Sequence, residues 1–304
     1  MKAIIQTNYQ GINGLKIQNV KVPNINSLST LIKVKYVPVL PYDVKSESEN
    51  LSNVHPQSLP RVIGYSAAGI IEKTGTLRNK QLMGKRVIAF AKDGAFSEYV
   101  VANIQPYTFI IPDNVSFEEA ATVFGGADTA LMTLQTLKLQ STDKVLIVGG
   151  SGGIGTYLVQ MLNNLNVSTT IFSSSGSEKF LKQNFQTQVY TDSDMIPNEN
   201  FDYLIDTTGS TRLLNDLENK LKYNGTIFPL SLPFYQSLHE NIDVVFHNRP
   251  LMPHYYTEIL EMIAKGKLIP FIDSIYDFDD IKKAQRKLDE HGKQGRILLK
   301  IDEN

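Results

Sequence analysis

Apolar and polar positions follow one rhythm in the first third of this chain and another in the rest. Met1-Lys2-Ala3-Ile4-Ile5-Gln6 reads as a strand, and Leu31-Ile32-Lys33-Val34-Lys35-Tyr36-Val37 alternates with period two. Val62 to Ile71, Arg86 to Phe90, Ala95 to Val101 and Phe109 to Ile111 are further strand-like stretches, punctuated by Gly64, Gly69, Gly75 and Gly84. Short strands at such regular spacing predict a barrel-like β domain.

The rhythm changes at Pro112. Ser116 with Glu119 has capping-box spacing ahead of a helix carrying Ala120 and Ala121. Thr129 to Leu139 predicts another, with Ala130, Leu131, Leu134 and Leu137 on one face. From Lys144 onward, strands at Val145–Val148, Ser168–Phe172, Tyr203–Asp206 and Thr226–Phe228 alternate with helical stretches. That alternation predicts a doubly wound parallel sheet with helices on both faces. Tyr256 to Lys265 is helical and closed by Gly266; Asp279 to His291 is helical, capped by Asp279 and Asp280 and ended by Gly292. Gly295 to Ile301 is a final strand. The fold class is therefore α/β, with a β-rich unit over residues 1–115 and 267–304 and a dinucleotide-type unit over 116–266.

The candidate chemistry starts where Val145-Leu146-Ile147-Val148 runs into Gly149-Gly150-Ser151-Gly152-Gly153-Ile154-Gly155. Gly150, Gly152 and Gly155 fit the G-x-G-x-x-G spacing between strand and helix. In that reading Gly150 makes the tight turn, Gly152 lets a pyrophosphate approach the backbone, and Gly155 packs helix on strand. The free N–H groups of the following helix then face the phosphates. The second strand decides between dinucleotides. An NAD site places an acidic residue at this strand end, roughly 20 residues past the glycines, for the ribose hydroxyls. Here stand Ser173, Ser174 and Ser175, with Lys179 about one turn into the next helix. Hydroxyls and an ammonium donate to a 2′-phosphate that a carboxylate would repel, so the expected cofactor is NADPH. Glu178 is expected to point away.

Composition narrows the rest. At 42% apolar, 20% charged and a net charge of −1, the chain has the make-up of a globular protein without the basic stripe that nucleic-acid binding needs. With no cysteine there is neither disulfide nor thiolate chemistry. No segment reaches the ~20 apolar residues of a membrane span, and the short N-terminal apolar run is not a signal peptide. A cytoplasmic location is the resulting expectation. His55, His239, His247, His254 and His291 lack a compact ligand spacing, and His247 and His254 are expected in a loop.

The order and spacing of Leu59-Pro60-Arg61-Val62-Ile63-Gly64-Tyr65-Ser66-Ala67-Ala68-Gly69, Gly94-Ala95-Phe96-Ser97-Glu98-Tyr99-Val100, Phe117-Glu118-Glu119-Ala120-Ala121, the glycine loop and Gly295-Arg296-Ile297-Leu298-Leu299 resemble the medium-chain dehydrogenase/reductase superfamily. More specifically, they resemble its zinc-free quinone oxidoreductase branch, over essentially the whole chain. The resemblance implies a GroES-like barrel joined to a Rossmann domain, and a homodimer. The zinc branch carries Gly-His-Glu where this chain has Gly64-Tyr65-Ser66, and it also needs cysteine ligands, so no metal is expected. By the same resemblance Ser151, Gly152, Gly153 and Ile154 cradle the pyrophosphate, and Ser175 and Lys179 contact the 2′-phosphate. Thr129 approaches the nicotinamide, while Thr208-Gly209-Ser210 and Leu230-Ser231 flank the adenine ribose and the carboxamide. Asp206 is set apart as a helix cap.

Two departures stand out. Family members commonly carry Asn-Pro-x-Asp where this chain has Leu40-Pro41-Tyr42-Asp43, which removes an amide near the reacting face and leaves Tyr42 as a candidate catalytic phenol. The segment from Leu232 to Met252 is short for the family. The resemblance implies an NADPH-dependent, zinc-independent oxidoreductase that passes hydride to a quinone or a conjugated enone or enal. Leu40, Tyr42, Tyr65 and Phe90 would line its acceptor cleft. A 2-enoyl thioester reductase and a non-catalytic NADPH-binding sensor are the alternatives.

Overall fold

The computed structural model describes residues 1–48, 58–103 and 106–301. His55 lies outside them. Strands β1 (Lys2–Gln6), β2 (Leu15–Asn19) and β4 (Arg61–Val62) form a small antiparallel sheet centred on β1. Between β2 and β4 runs β3 (Thr30–Val39), the spine of a second sheet. On one side of β3 stand β5 (Ser66–Thr74), β6 (Arg86–Phe90) and β8 (Thr108–Ile110), all antiparallel neighbours in turn. β7 (Tyr99–Ala102) also pairs with β3. On the other side of β3 lie the last two strands of the chain, which makes this sheet seven-stranded.

The third sheet is wholly parallel. Its strands are β9 (Lys144–Val148), β10 (Ser168–Phe172), β11 (Gln188–Tyr190), β12 (Phe201–Asp206), β13 (Leu221–Pro229) and β14 (Asp243–Val244). They stand in the order β11-β10-β9-β12-β13-β14. Counted from β9 this is the doubly wound order 3-2-1-4-5-6, whose switch point lies between β9 and β12. The chain then returns to the second sheet through β15 (Ile272–Asp277) and β16 (Arg296–Lys300), with β16 pairing β3. One buried cluster joins the two large sheets, since Ala68, Ile88 and Leu298 of one share it with Val145 and Ile147 of the other.

Local chemistry explains most of these elements. Ser116 accepts from the Glu119 N–H and Glu119 accepts from that of Ser116, the reciprocal cap read in the sequence. β9 is buried along Val145–Val148, as a central parallel strand covered on both faces must be. Three expectations are corrected. The stretch from Val62 to Ile71 is broken at Ile63–Tyr65, because Gly64 takes φ +77° and a Cβ there would collide with the Phe96 ring. The last helix spans only Ile281–Lys287, after a 3-10 turn at Phe278–Asp280. Asp280 makes no side-chain cap bond there and instead pairs with Lys283 at 2.8 Å. His254 lies on the helix Pro253–Ala264, begun by Pro253, rather than in a loop.

Elements not read from sequence are those without a clear period. β2 buries only Leu15, and β15 has no fully buried position. The helix Pro41–Glu47 is set by Pro41 at its first position and by Asp43, whose carboxylate accepts from the Leu40 N–H at 3.0 Å.

Candidate active site

The glycine loop leaves β9 at the switch point, and its glycines divide the work differently from the sequence reading. Gly149, not Gly150, makes the tight turn, with φ +85°. Gly150 is required because a Cβ there would stand 2.6 Å from Ile171 on β10. Gly155 packs the helix Gly155–Asn164 directly on the Gly149 carbonyl and the Gly150 backbone. A Cβ at Gly152 would meet nothing closer than 3.6 Å, so the space beside its Cα is uncrowded by protein, while its N–H donates to the Gly149 carbonyl. Ile154 stands immediately before that helix, half-buried.

The serine tip separates into a buried part and an outer part. Ser151 Oγ donates to Ser177 Oγ at 2.9 Å and lies 3.5 Å from Ser173 Oγ, all three buried. Ser173 is thereby bound into the loop's base, and its N–H donates to the carbonyl of Tyr190 at the neighbouring strand end. Ser174 is half-buried, whereas Ser175 and Lys179 are exposed on the helix Ser175–Asn184. Glu178 turns along that helix to Lys182 at 2.5 Å. A lysine not read from the sequence lies on a loop that touches the tip, and its Nζ donates to the Glu290 carbonyl. Lys293 lies on the loop between Gly292, which packs on Gly176, and Gly295, whose N–H donates to the Ser151 carbonyl at 2.8 Å. Burial holds its ammonium below the usual lysine range.

At the end of β12, Asp206 is buried and organises the turn. It accepts from the N–H and hydroxyl of Thr208 and from the Gly209 N–H, at 2.6–2.9 Å. Burial raises its carboxyl, against those hydrogen bonds. The helix Thr211–Leu217 is capped instead by Ser210, whose hydroxyl accepts from the Leu213 N–H at 3.3 Å. Beside Asp206, Leu230 donates its N–H to the Asp206 carbonyl. The Ser231 carbonyl accepts from Lys45 Nζ at 3.3 Å, so this lysine bridges from the helix Pro41–Glu47 to the parallel sheet. No spacing signal joins two residues so far apart in the chain.

The floor of the site is the turn Val123–Ala127, where Gly125 takes φ +65°. Arg296, the first residue of β16, donates through Nη2 to the Gly125 carbonyl. Its guanidinium lies where a Cβ on Gly153 would fall, while its Nε is buried without a partner. Burial lowers its pKa, and Tyr65, Tyr157, Asp128 and Asp43 counteract that. Asp128 accepts from the N–H and hydroxyl of Thr129 at 2.6 and 3.1 Å and from the Gly126 N–H at 3.2 Å. Burial pushes its carboxyl up to about 6.

Four residues read as acceptor lining come together above this floor. Leu40 is buried, with a methyl 3.0 Å from the position of a Gly125 Cβ. The Tyr65 hydroxyl lies 2.8 Å from that same position. Tyr42 meets the Tyr65 ring edge-on at 6.1 Å, and Phe90 tilts against it at 5.9 Å. Beneath them is a buried acid pair. Burial raises Asp43 to about 7 and Glu47 to about 8.

A parallel sheet in this order, with a glycine loop at its switch point and an aromatic cluster tied to it through Arg296 and Gly125, defines a nucleotide-binding oxidoreductase architecture. Residues 26–113 match the model of the alcohol dehydrogenase GroES-like domain, and residues 176–299 match that of the zinc-binding dehydrogenases, between them more than half of the chain. The chain belongs to the medium-chain dehydrogenase/reductase superfamily, in its zinc-free quinone oxidoreductase branch. It is 32% identical over 182 residues to a chloroplastic quinone-oxidoreductase homolog of Spinacia oleracea, covering 56% of this chain and 55% of that protein. It is 26% identical over 189 residues to an NADPH-dependent alkenal/one oxidoreductase of Arabidopsis thaliana, covering 59% and 48%. The structure of the quinone oxidoreductase from Coxiella burnetii superposes with a TM-score of 0.87 at 22% identity, covering 99% of each chain.

The zinc of the second family model has no fit here. Gly64-Tyr65-Ser66 offers a phenol and a hydroxyl, the chain has no cysteine, and no three His, Asp or Glu side chains among the described residues group as ligands. A nicotinamide dinucleotide does fit. The uncrowded space beside the Gly152 Cα and the unpartnered Arg296 Nε are the features such a ligand satisfies. No helix among the described residues is long and apolar enough to cross a membrane.

Proposed function

We propose that this protein is an NADPH-dependent, metal-independent reductase of quinones or of conjugated enones and enals. The observation that carries the reading is the placement of the Leu40, Tyr65 and Phe90 recess on the Gly125 turn, which Arg296 ties to the glycine loop. Ser151, Gly152, Gly153 and Ile154 would hold the pyrophosphate with Arg296, and Thr129, Thr208, Gly209, Leu230 and Ser231 would line the path of the nicotinamide half. Ser174, Ser175 and Lys179, joined by Lys293, would take the 2′-phosphate, with Ser173 bracing the loop beneath them.

When bound, the dinucleotide supplies the hydride. The chain's residues bind it, stack a planar acceptor and exclude water. Leu40 in place of a polar side chain makes the recess drier. Tyr42, 47% exposed, forms its outer edge and is the phenol read in the sequence as catalytic. The reading extends to two functional units, 1–115 with 267–304 and 116–266, to a homodimer and to a cytoplasmic location.

The test is stopped-flow oxidation of NADPH and of NADH against a panel of ortho- and para-quinones, enones and enals. Turnover with NADPH and at least one acceptor is expected. Nucleotide binding with no turnover of any acceptor would sink the catalytic reading and leave a sensor.

A further inference from the structure

Two phenols of the recess, Tyr42 and Tyr65, make no hydrogen bond to protein among the described residues; Tyr42 is exposed at the rim, and Tyr65 is the inner one, its hydroxyl over Gly125. Tyr107, Tyr157, Tyr235 and Tyr256 each hydrogen-bond to protein, through Leu251, Thr122, Glu218 and Asp128 respectively. Among the described residues the Tyr65 hydroxyl has no such partner, although its ring is wedged between Tyr42 and Phe90. Nor is it sealed among the buried unpartnered atoms, so water or a ligand can reach it. A ligand's acceptor atom entering the recess can therefore take this donor without breaking any hydrogen bond within the protein. The hydroxyl also faces backbone rather than side chain: Gly125 lacks the Cβ that would stand 2.8 Å away.

The groups facing it fix its role as a donor. Burial is the main cause that raises its pKa well above the ordinary phenol value, reinforced by Asp128 and Asp43 and opposed by Arg296. The phenol therefore stays protonated at neutral pH. An ionised product oxygen placed beside it would also lie within the field of the Arg296 guanidinium.

Resting on the function proposed above, we infer that the Tyr65 hydroxyl donates a hydrogen bond to the acceptor's carbonyl or quinone oxygen and stabilises the negative charge that collects there. The step balances simply. Hydride carries two electrons and one hydrogen from the nicotinamide to the conjugated acceptor, and the displaced π electrons move onto the oxygen beside Tyr65. Tyr65 keeps its O–H bond throughout. The proton that completes the enol, ketone or hydroquinone comes from solvent. A preorganised donor of this kind, aimed at developing charge in a water-poor site, acts on the transition state more than on the ground state.

The experiment compares the wild type with Tyr65→Phe, which deletes only an unpartnered oxygen and should leave the melting temperature unchanged. With enones, kcat/KM should fall by about 10²-fold, mostly in kcat, as for loss of one oxyanion donor. With quinones, whose hydroquinone anions need less help, the fall should be smaller, and NADPH affinity should not move. A second readout needs no turnover. In the presence of NADP+, 4-nitrophenolate mimics the product anion, and its absorption titration should show binding weakened about ten-fold in the variant, the loss of roughly one charged hydrogen bond. Nitrobenzene, which lacks the oxygen, should bind both proteins alike. Equal behaviour of the two proteins in both assays would overturn the assignment, as would a loss confined to Tyr42→Phe. If the wild type turns over no acceptor, the proposed function fails, and the phenolate titration alone then decides the role of Tyr65.

Discussion

A Cβ on Gly153 would lie 2.6 Å from Cζ of Arg296. The nucleotide loop of one sheet is thus closed onto the first residue of the last strand of the other, with no room for a side chain between them. The guanidinium cannot easily yield, because it is buried and already donates to the Gly125 carbonyl.

Gly153→Ala should therefore be costly in a way that an exposed loop glycine would not be. Overpacking of this kind costs about 1–3 kcal/mol. Urea denaturation should show that loss, and fluorescence titration should show weaker binding of NADPH and NADH together. An alanine variant of wild-type stability and affinity would mean that the contact is loose.

The Lys179→Glu variant separates the two nucleotides. Lys179 is exposed on its helix and, among the described residues, tied to no carboxylate, Glu178 being engaged with Lys182. Placing a carboxylate there should weaken NADPH binding by about ten-fold or more, the scale of one charge-assisted contact, and leave NADH binding unchanged. Equal losses for both nucleotides would remove the 2′-phosphate from this tip.

The glycine loop, the capping box at Ser116 and the parallel alternation were legible because each is encoded within a few neighbouring residues. The outer serines and Lys179, the proposed 2′-phosphate contacts, are read from the sequence in the same local way. What was not legible depends on residues brought together from far along the chain. Arg296 meets Gly125 across 171 residues, and Lys45 meets Ser231 across 186. In sequence Tyr42 reads as the candidate catalytic phenol and Tyr65 only as lining; the fold leaves Tyr42 at the rim and lays the Tyr65 hydroxyl on Gly125. Similarly, Ser173 and Ser175 look alike as letters, yet one belongs to a buried hydroxyl cluster and the other is exposed.

Ser210→Ala tests a residue with two readings. Its hydroxyl is committed to the N–H of Leu213 as the cap of Thr211–Leu217. Removing a serine cap costs about 1 kcal/mol, which thermal or urea unfolding would register. NADPH affinity is expected to stay the same. A large fall in affinity without a stability change would return Ser210 to the cofactor site.

The buried acids beneath the recess predict a pH dependence of stability with a definite sign. Glu47 has 0% exposure, accepts from Gln285 Nε2 at 2.7 Å, and has its other oxygen unpartnered. Burial is the main cause raising its carboxyl from 4.5 to about 8, with Asp43 adding to the effect and Gln285 and Arg61 opposing it. In the unfolded chain this group releases its proton near the lower value, whereas in the folded protein it keeps it until the higher one. Between those two pH values the native state holds more protons, so stability declines as pH rises through the window. Each unit of such a shift corresponds to about 1.4 kcal/mol. Glu47→Gln preserves an acceptor for Gln285 and cannot ionise. The variant should therefore match the wild type near pH 5 and exceed it at pH 8 by roughly 1–3 kcal/mol, after allowing for relaxation around the charged form. Urea melts of both proteins from pH 5 to pH 8 measure the difference, and parallel curves across that range would show that Glu47 is already ionised in the fold.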